Sequence, residues 1–420
     1  MFSLKNGMLS IKYDFVHVME FLYEILFAIN MVAIFLFANV ANIAPAISVV
    51  LFGSSVILLI ARKNKIIRIH GNFIWYGLFT VYAALSCLWS ENAGILEINS
   101  IIQMIIVLIT VTSVSIYVDS SEKLERLMSV FIFSVIIVVL YEFINTPVDL
   151  WFKGFFGSNS TGSNSNYISF TAFCAELMLF YKAYVKGKKF NYIFIAFLMF
   201  YILLSSSRKA LILGILGPLL IVIFTTEKRG YLFRILVFFT IIVGVLYFIM
   251  TNDALYSILG VRLERMFDFA VKDLDVDGSL RERTHFVEVA KEMFAQSPVI
   301  GQGQRSFINI NGTYAHNNFW QILSEYGIVG FIIYYSFYVY CIVNLIKGYF
   351  INKNKLCLPF LVFLVLLVMF EVGIVSLYMK YYQIVIAFAY TATYIESSDF
   401  TERKYKYKEA GLMQTAIGIE

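Results

Sequence analysis

Residues 99–118 read NSIIQMIIVLITVTSVSIYV, a run without a single acidic or basic side chain. It is as long as the ~20 residues that an α-helix needs to cross a bilayer's hydrocarbon. In lipid every backbone polar group must be satisfied within the segment, so such a run spans as a helix. Similar runs recur outward in both directions. Of the 420 residues, 60% are hydrophobic and only 15% charged, against about 25% charged in soluble domains. A soluble fold is excluded.

The apolar runs place spans at 18–40, 43–61, 71–89, 99–118, 127–144, 166–185, 190–206, 209–225, 231–250, 328–347, 356–376 and 378–396. The expected fold is all-α: a polytopic integral membrane protein of about twelve transmembrane helices. One membrane domain, 1–420, carries a large extracytoplasmic loop, 251–315, with a short amphipathic helix before the tenth span. The N-terminal apolar run is too long for a signal peptide and lacks a cleavage site, so it is read as a retained helix.

Short cytoplasmic loops are enriched in Lys and Arg. The loops Arg62–Arg68, Lys182–Lys189, Lys228–Arg234 and Lys347–Lys355 and the tail Arg403–Lys408 are basic and share one side by parity. Both termini are therefore expected in the cytoplasm. This asymmetry accounts for the net charge of +5 without nucleic acid as a partner. Cys87, Cys174, Cys341 and Cys357 lie in or beside apolar spans with no C-x-x-C pair, which suggests neither a disulfide framework nor a zinc site. No cofactor or metal is expected, and motifs for nucleotide, zinc or serine hydrolysis are absent.

Two outer loops interrupt the rhythm. Asn145–Asn166 is rich in Gly, Ser and Asn beside Trp151, Phe155 and Phe156, which reads either as a flexible linker or as a surface suited to sugar hydroxyls. The longer loop contains a capping box, Ser279-x-x-Glu282, then Phe286, Val289, Ala290, Met293 and Phe294 at helical spacing, ending at Pro298, Gly301 and Gly303. No internal repeat is visible, which removes one pointer to a transporter built of inverted halves.

Three outward places carry ionisable groups. Ser205-Ser206-Ser207-Arg208-Lys209 opens a helix, where hydroxyls, free N–H groups and a guanidinium suit a phosphate; snorkelling to headgroups is the plain alternative. Arg281 and Arg283 sit one turn into the amphipathic helix and suit a pyrophosphate, or else form a solvated face with Glu282 and Glu288. His316, followed by Asn317, precedes the tenth span and has the side chain best placed to titrate near neutrality; a surface histidine is the alternative. Glu325 lies nine positions on, roughly opposite His316 if one straight helix holds both. Glu20, Glu24, Glu142, Glu176 and Glu371 lie within spans and are candidates by default; none is singled out as catalytic.

In order, these pieces resemble the bacterial O-antigen ligase and O-antigen or capsule polymerase superfamily. The resemblance rests on Leu204-Ser205-Ser206-Ser207-Arg208-Lys209-Ala210, on Arg283 followed by a helix and Pro298, Gly301 and Gly303, and on His316-Asn317 with Phe319, Gln321, Glu325, Gly327 and Gly330. It implies a metal-independent glycosyltransferase of the cell membrane, working on the extracytoplasmic face. Its donor would be an undecaprenyl-pyrophosphate-linked oligosaccharide. Arg208 and Arg283 would stabilise the leaving diphosphate, and His316 would act as base or orient substrate. Arg281, Arg305, Asn317 and Glu325 are carried over as substrate-binding residues. Chain-length regulator and flippase proteins are further candidate partners.

Within the superfamily, the nine-residue spacing from His316 to Glu325 and the Gly/Ser/Asn loop favour a repeat-unit polymerase over a ligase that transfers finished chains to lipid A-core or another acceptor. A flippase or transporter of lipid-linked oligosaccharide is the rival from another class. It would place its charges in mid-membrane helices rather than at outer helix ends.

Overall fold

A computed structural model describes residues 2–37, 42–62, 70–90, 94–151, 165–205, 207–225, 230–261, 264, 278–377 and 379–395. Among them there are helices and no strands. The major helices are α1 (Phe2–Leu36), α2 (Ile43–Ala61), α3 (Gly71–Ser86), α4 (Ile95–Tyr117), α5 (Ser121–Asn145), α6 (Ser165–Phe180), α7 (Asn191–Leu204), α8 (Arg208–Thr225) and α9 (Tyr231–Thr251). Then follow α10 (Gly278–Gln296), the short α11 (Ser306–Asn311), α12 (Asn318–Ile346), α13 (Cys357–Phe370) and α14 (Lys380–Tyr394).

Each apolar run read from the sequence falls on one of these helices. Among the described residues, seven helices are long and apolar enough to cross a membrane. Asn191–Leu204 and Cys357–Phe370 are apolar but shorter; 14 residues rise only about 21 Å. Most of the Gly/Ser/Asn loop, the segment 265–277 and the basic tail lie outside the described residues.

Aromatic packing dominates the interior. Tyr23, Phe27, Tyr76, Phe79, Phe131, Tyr334 and Tyr338 are fully buried, and Trp75 stacks on Phe337 with centroids 4.3 Å apart. Polar side chains cross-link neighbouring helices. Asn72 Nδ2 donates to Val111 O at 3.0 Å and Ser115 Oγ at 2.7 Å. Small residues let α8 approach α6, since a Cβ on Gly217 would stand 2.9 Å from Leu177 Cδ1.

One end of the bundle is tied by ions. Glu20 of α1 pairs with Arg62 after α2 at 3.0 Å, Lys123 at 2.9 Å and Arg126 of α5 at 3.3 Å. Arg62 and Lys123 share Asp119 at 3.2 and 2.7 Å. Lys186 reaches Glu125 at 2.7 Å, so the turn after α6 joins the same end. The residues that parity assigns to one side therefore meet at one end of the fold.

The tenth span differs from its reading. Helix α12 begins at Asn318, and Gly327 breaks it with φ 62° and ψ −167°. The turn at 298–303 fills the break. Ile328 N donates to Pro298 O at 2.9 Å and Val329 N to Val299 O at 3.2 Å. In return Gln302 N and Gly303 N donate to Ser324 O and Glu325 O at 2.9 and 2.8 Å. The broken ladder is thus satisfied by the turn's own backbone. Gly301, with φ 71°, is required here, because a Cβ would stand 2.4 Å from Glu325 O. The eleventh span also ends earlier than expected: α13 stops at Phe370 and residues 371–377 form a loop.

Candidate functional site

At the end of the bundle opposite the Glu20 cluster, four segments converge. Helix α10 lies on its apolar face, with Ala290 and Met293 buried in a small core with Phe307 and Ala315, flanked by Phe286, Val289 and Trp320. This amphipathic packing sets Arg283, half-buried, one turn before Phe286 on α10.

The second segment is 314–318, just ahead of α12. His316 has φ 56°, a left-handed conformation uncommon for a side chain with a Cβ. Neighbours hold it there. Tyr314 packs at 4.3 Å and Phe286 at 6.2 Å between ring centroids. The Ala315 N–H donates to Gln321 Oε1 at 2.7 Å, and Gln321 Nε2 donates to Glu325 Oε1 at 2.7 Å. Asn317 caps α12, its Oδ1 accepting from Trp320 N at 3.2 Å. His316 therefore stands before the helix rather than on it, and the premise of one straight helix bearing His316 and Glu325 is corrected.

The third segment is the start of α8. Ser207 and Ser205 are buried, Ser205 Oγ accepts from Ser207 N at 3.3 Å, and Arg208 and Lys209 follow half-buried. Lys209 lies close enough to Arg283 and Arg208 for both to act on it electrostatically. The fourth segment is the loop 371–377, against which Lys209 rests: a Cβ on Gly373 would stand 2.8 Å from Lys209 Nζ. That loop is pinned to the start of α12. Asn318 N donates to Glu371 O at 2.8 Å, and Asn318 Oδ1 accepts from Ser376 N and Leu377 N at 3.1 Å each. Tyr335 donates to Glu371 Oε2 at 2.7 Å, and Ser376 donates to Glu371 Oε1.

Burial and the cations beside it depress the His316 pKa to about 4, burial first, then Arg283, then Lys209. Its imidazole is neutral at physiological pH. Burial raises the pKa of Tyr314, partly offset by Arg283. The site is cationic, with a neutral imidazole and a phenol beside the charges. Among the described residues no three His, Cys, Asp or Glu side chains group as metal ligands.

The structure thus gathers Arg283 and His316 with Lys209, and Arg208 adjoins Lys209. Arg281, two positions before Arg283, is exposed and turned about 200° around the helix axis. Arg305, with φ 59° at the start of α11, acts on Glu97 of α4 rather than on His316. Glu325 is fully buried and holds Gln321, so in this structure it supports the backbone ahead of His316. Lys209, Tyr314 and the 371–377 loop were not singled out from the sequence. Lys209 was visible only as the neighbour of Arg208.

Fold and site together define a multi-pass helical membrane protein with a cationic cluster built where helix ends and the amphipathic helix α10 meet. Residues 192–335 match the family model described as O-antigen ligase. The match spans Arg208, Arg283 and His316 and supports the O-antigen ligase and polymerase superfamily for this chain. No curated protein matches it in sequence.

Proposed function

We propose that the chain is a polymerase that joins lipid-pyrophosphate-linked oligosaccharide repeat units at the outer leaflet of the cytoplasmic membrane, with both termini in the cytoplasm. The observation that carries this reading is the gathering of Arg283, Lys209 and His316 from three separate segments at one bundle end. An acceptor hydroxyl oxygen bonds to the donor's anomeric carbon while the bond from that carbon to the diphosphate oxygen breaks. The electron pair leaves with the diphosphate, whose charge Arg283, Lys209 and Arg208 stabilise. The hydroxyl proton passes to the neutral His316 imidazole. In this reading the three cations take the role that a metal ion would otherwise play at the leaving diphosphate.

A second reading, ligation of the finished chain to another acceptor, is favoured by the description of the matching family. Surface polysaccharide from a strain lacking the gene separates the two. Single repeat units on the acceptor without long chains indicate a polymerase; long chains left on the lipid carrier indicate a ligase. An unchanged profile overturns both. Arg208→Ala and Arg283→Ala should each abolish activity at normal membrane abundance, and full activity in both would remove the diphosphate role.

A further inference from the structure

At the end of the bundle that carries the Glu20 ion cluster, a cavity of about 720 Å³ opens between the end of α8, the start of α9 and the turns after α6 and α12. Tyr184, Tyr192, Phe233 and Tyr349 supply ring walls, and Arg234 and Lys355 supply positive charge. Arg234 donates to Tyr184 Oη at 2.8 Å, which fixes the guanidinium across the cavity from α9 to the turn after α6. Tyr349 Oη donates to Phe224 O at 2.9 Å and closes the side toward α8. Phe233 is 70% exposed on the outer surface of α9, so the cavity has an apolar side opening.

This place is far from the cationic site. It adjoins Thr225 at the C-terminus of α8, whereas Arg208 and Lys209 open that helix, a rise of about 27 Å away. Nothing in the proposed transfer uses it. An aromatic and aliphatic wall open to the side, with two cations at the level of the basic turns, complements a molecule that is apolar along most of its length and anionic at one end. Basic pockets between helices at the cytoplasmic surface bind anionic lipid head groups by this combination.

We propose that the cavity is a binding site for an anionic glycerophospholipid, with the phosphate between Arg234 and Lys355 and an acyl chain along Phe233 and Tyr192. The bound lipid bridges α9 to the turns after α6 and α12. It is a structural ligand that holds α9 on the bundle. Dianionic and monoanionic head groups both suit two cations; a zwitterionic choline head group sets its own cation against them.

The test uses the full chain purified in detergent, delipidated, and then supplied with phosphatidylglycerol or phosphatidylcholine of identical acyl chains. Native mass spectrometry counts retained lipid, and thermal unfolding reports its effect on the fold. Phosphatidylglycerol should be retained and raise the unfolding midpoint, phosphatidylcholine should do neither, and inorganic phosphate alone should not substitute. Arg234→Ala with Lys355→Ala should lose the preference. Because removing Arg234 also removes its bond to Tyr184, Lys355→Ala alone serves as the second variant: Lys355 is exposed, so its loss weakens retention without disturbing the packing. Equal retention of both lipids by the native chain, or undiminished phosphatidylglycerol retention in both variants, overturns the proposal. Stabilisation by inorganic phosphate to the same extent also overturns it, in favour of a free-anion site.

Discussion

Replacing Arg283 by Gln should raise the pKa of His316, and by an amount that the geometry bounds. The imidazole falls from 6.5 to about 4 because it is buried and because Arg283 and Lys209 disfavour a third positive charge beside them. Burial is the largest of these causes, and Arg283 exceeds Lys209. Removing Arg283 alone therefore returns less than half of the interval, and His316 in the variant should titrate above its native value but in the lower half of the range up to 6.5. Removing Lys209 as well should bring it higher, still below 6.5, since burial remains. The linked effect on stability has the same sign. The unfolded chain takes up this proton first, so between pH 6.5 and about 4 the fold loses stability as pH falls. Arg283→Gln narrows that window from its acid side. The measurement is a pH titration of imidazole resonances in the histidine-labelled chain, which has 4 histidines, with His316→Gln identifying the resonance. A native His316 titrating at 6 to 7, or one that ignores Arg283→Gln, would refute the electrostatic coupling on which the site is built.

Other perturbations address the supports. Gly373→Ala places a methyl 2.8 Å from Lys209 Nζ; it should displace the ammonium and slow transfer by roughly tenfold to a hundredfold at unchanged membrane abundance, measured with purified lipid-linked donor. Gly327→Ala forces a left-handed residue and a Cβ 2.4 Å from Val299 O, so it should cost about 3 kcal/mol or more and lower the unfolding midpoint; near-native stability would contradict the interlocked turn. Glu20→Ala leaves Arg62, Lys123 and Arg126 around a vacated, nearly buried position. It should lower the unfolding midpoint, by less than the loss of a buried ion's only partner would, because Asp119 and Glu24 still pair with these cations, while Glu20→Asp should recover part of the loss.

The helices were legible because a long apolar run has only one way to satisfy its backbone in lipid. Their ends were less so. Residues 371–377, EVGIVSL, are almost as apolar as α13 itself, so hydropathy carries the span through Glu371. The chain turns there because Asn318 and Tyr335 supply bonds to Glu371 and its neighbours from another helix, and a long-range partner leaves no local pattern. The break at Gly327 is hidden for the same reason: its lost ladder bonds are replaced by Pro298 and Val299, distant in sequence. Arg283 and His316 were singled out from residue type and order, and the fold brings them together. Lys209 was not, since a lysine at a helix head has an ordinary explanation in snorkelling. Its meaning comes from Arg283, which only the docking of α10 brings near. Glu325 shows the converse, a polar residue in a motif whose bond to Gln321 here supports the backbone ahead of His316.

The two ends of the bundle use cations in opposite ways, and the contrast bears on what the site around His316 is for. Around Glu20, Arg62, Lys123 and Arg126 are matched by Glu20, Glu24 and Asp119. Around His316, no described carboxylate forms an ion pair with Arg283 or Lys209, although each lies in the other's field. Like charges placed in each other's field repel, and their repulsion disfavours the arrangement unless something else offsets it. A fold that needed only stability would place a carboxylate there, as the Glu20 end does. A bound diphosphate reverses the sign of that repulsion and also offsets the part of the His316 pKa depression that Arg283 and Lys209 add to burial. In the proposed transfer, the donor's arrival thus raises the proton affinity of His316, and the leaving group's growing charge raises it further as the acceptor hydroxyl gives up its proton. A pKa depressed by burial and neighbouring cations, and a base that acts once donor charge offsets those cations, are then two consequences of the same electrostatics.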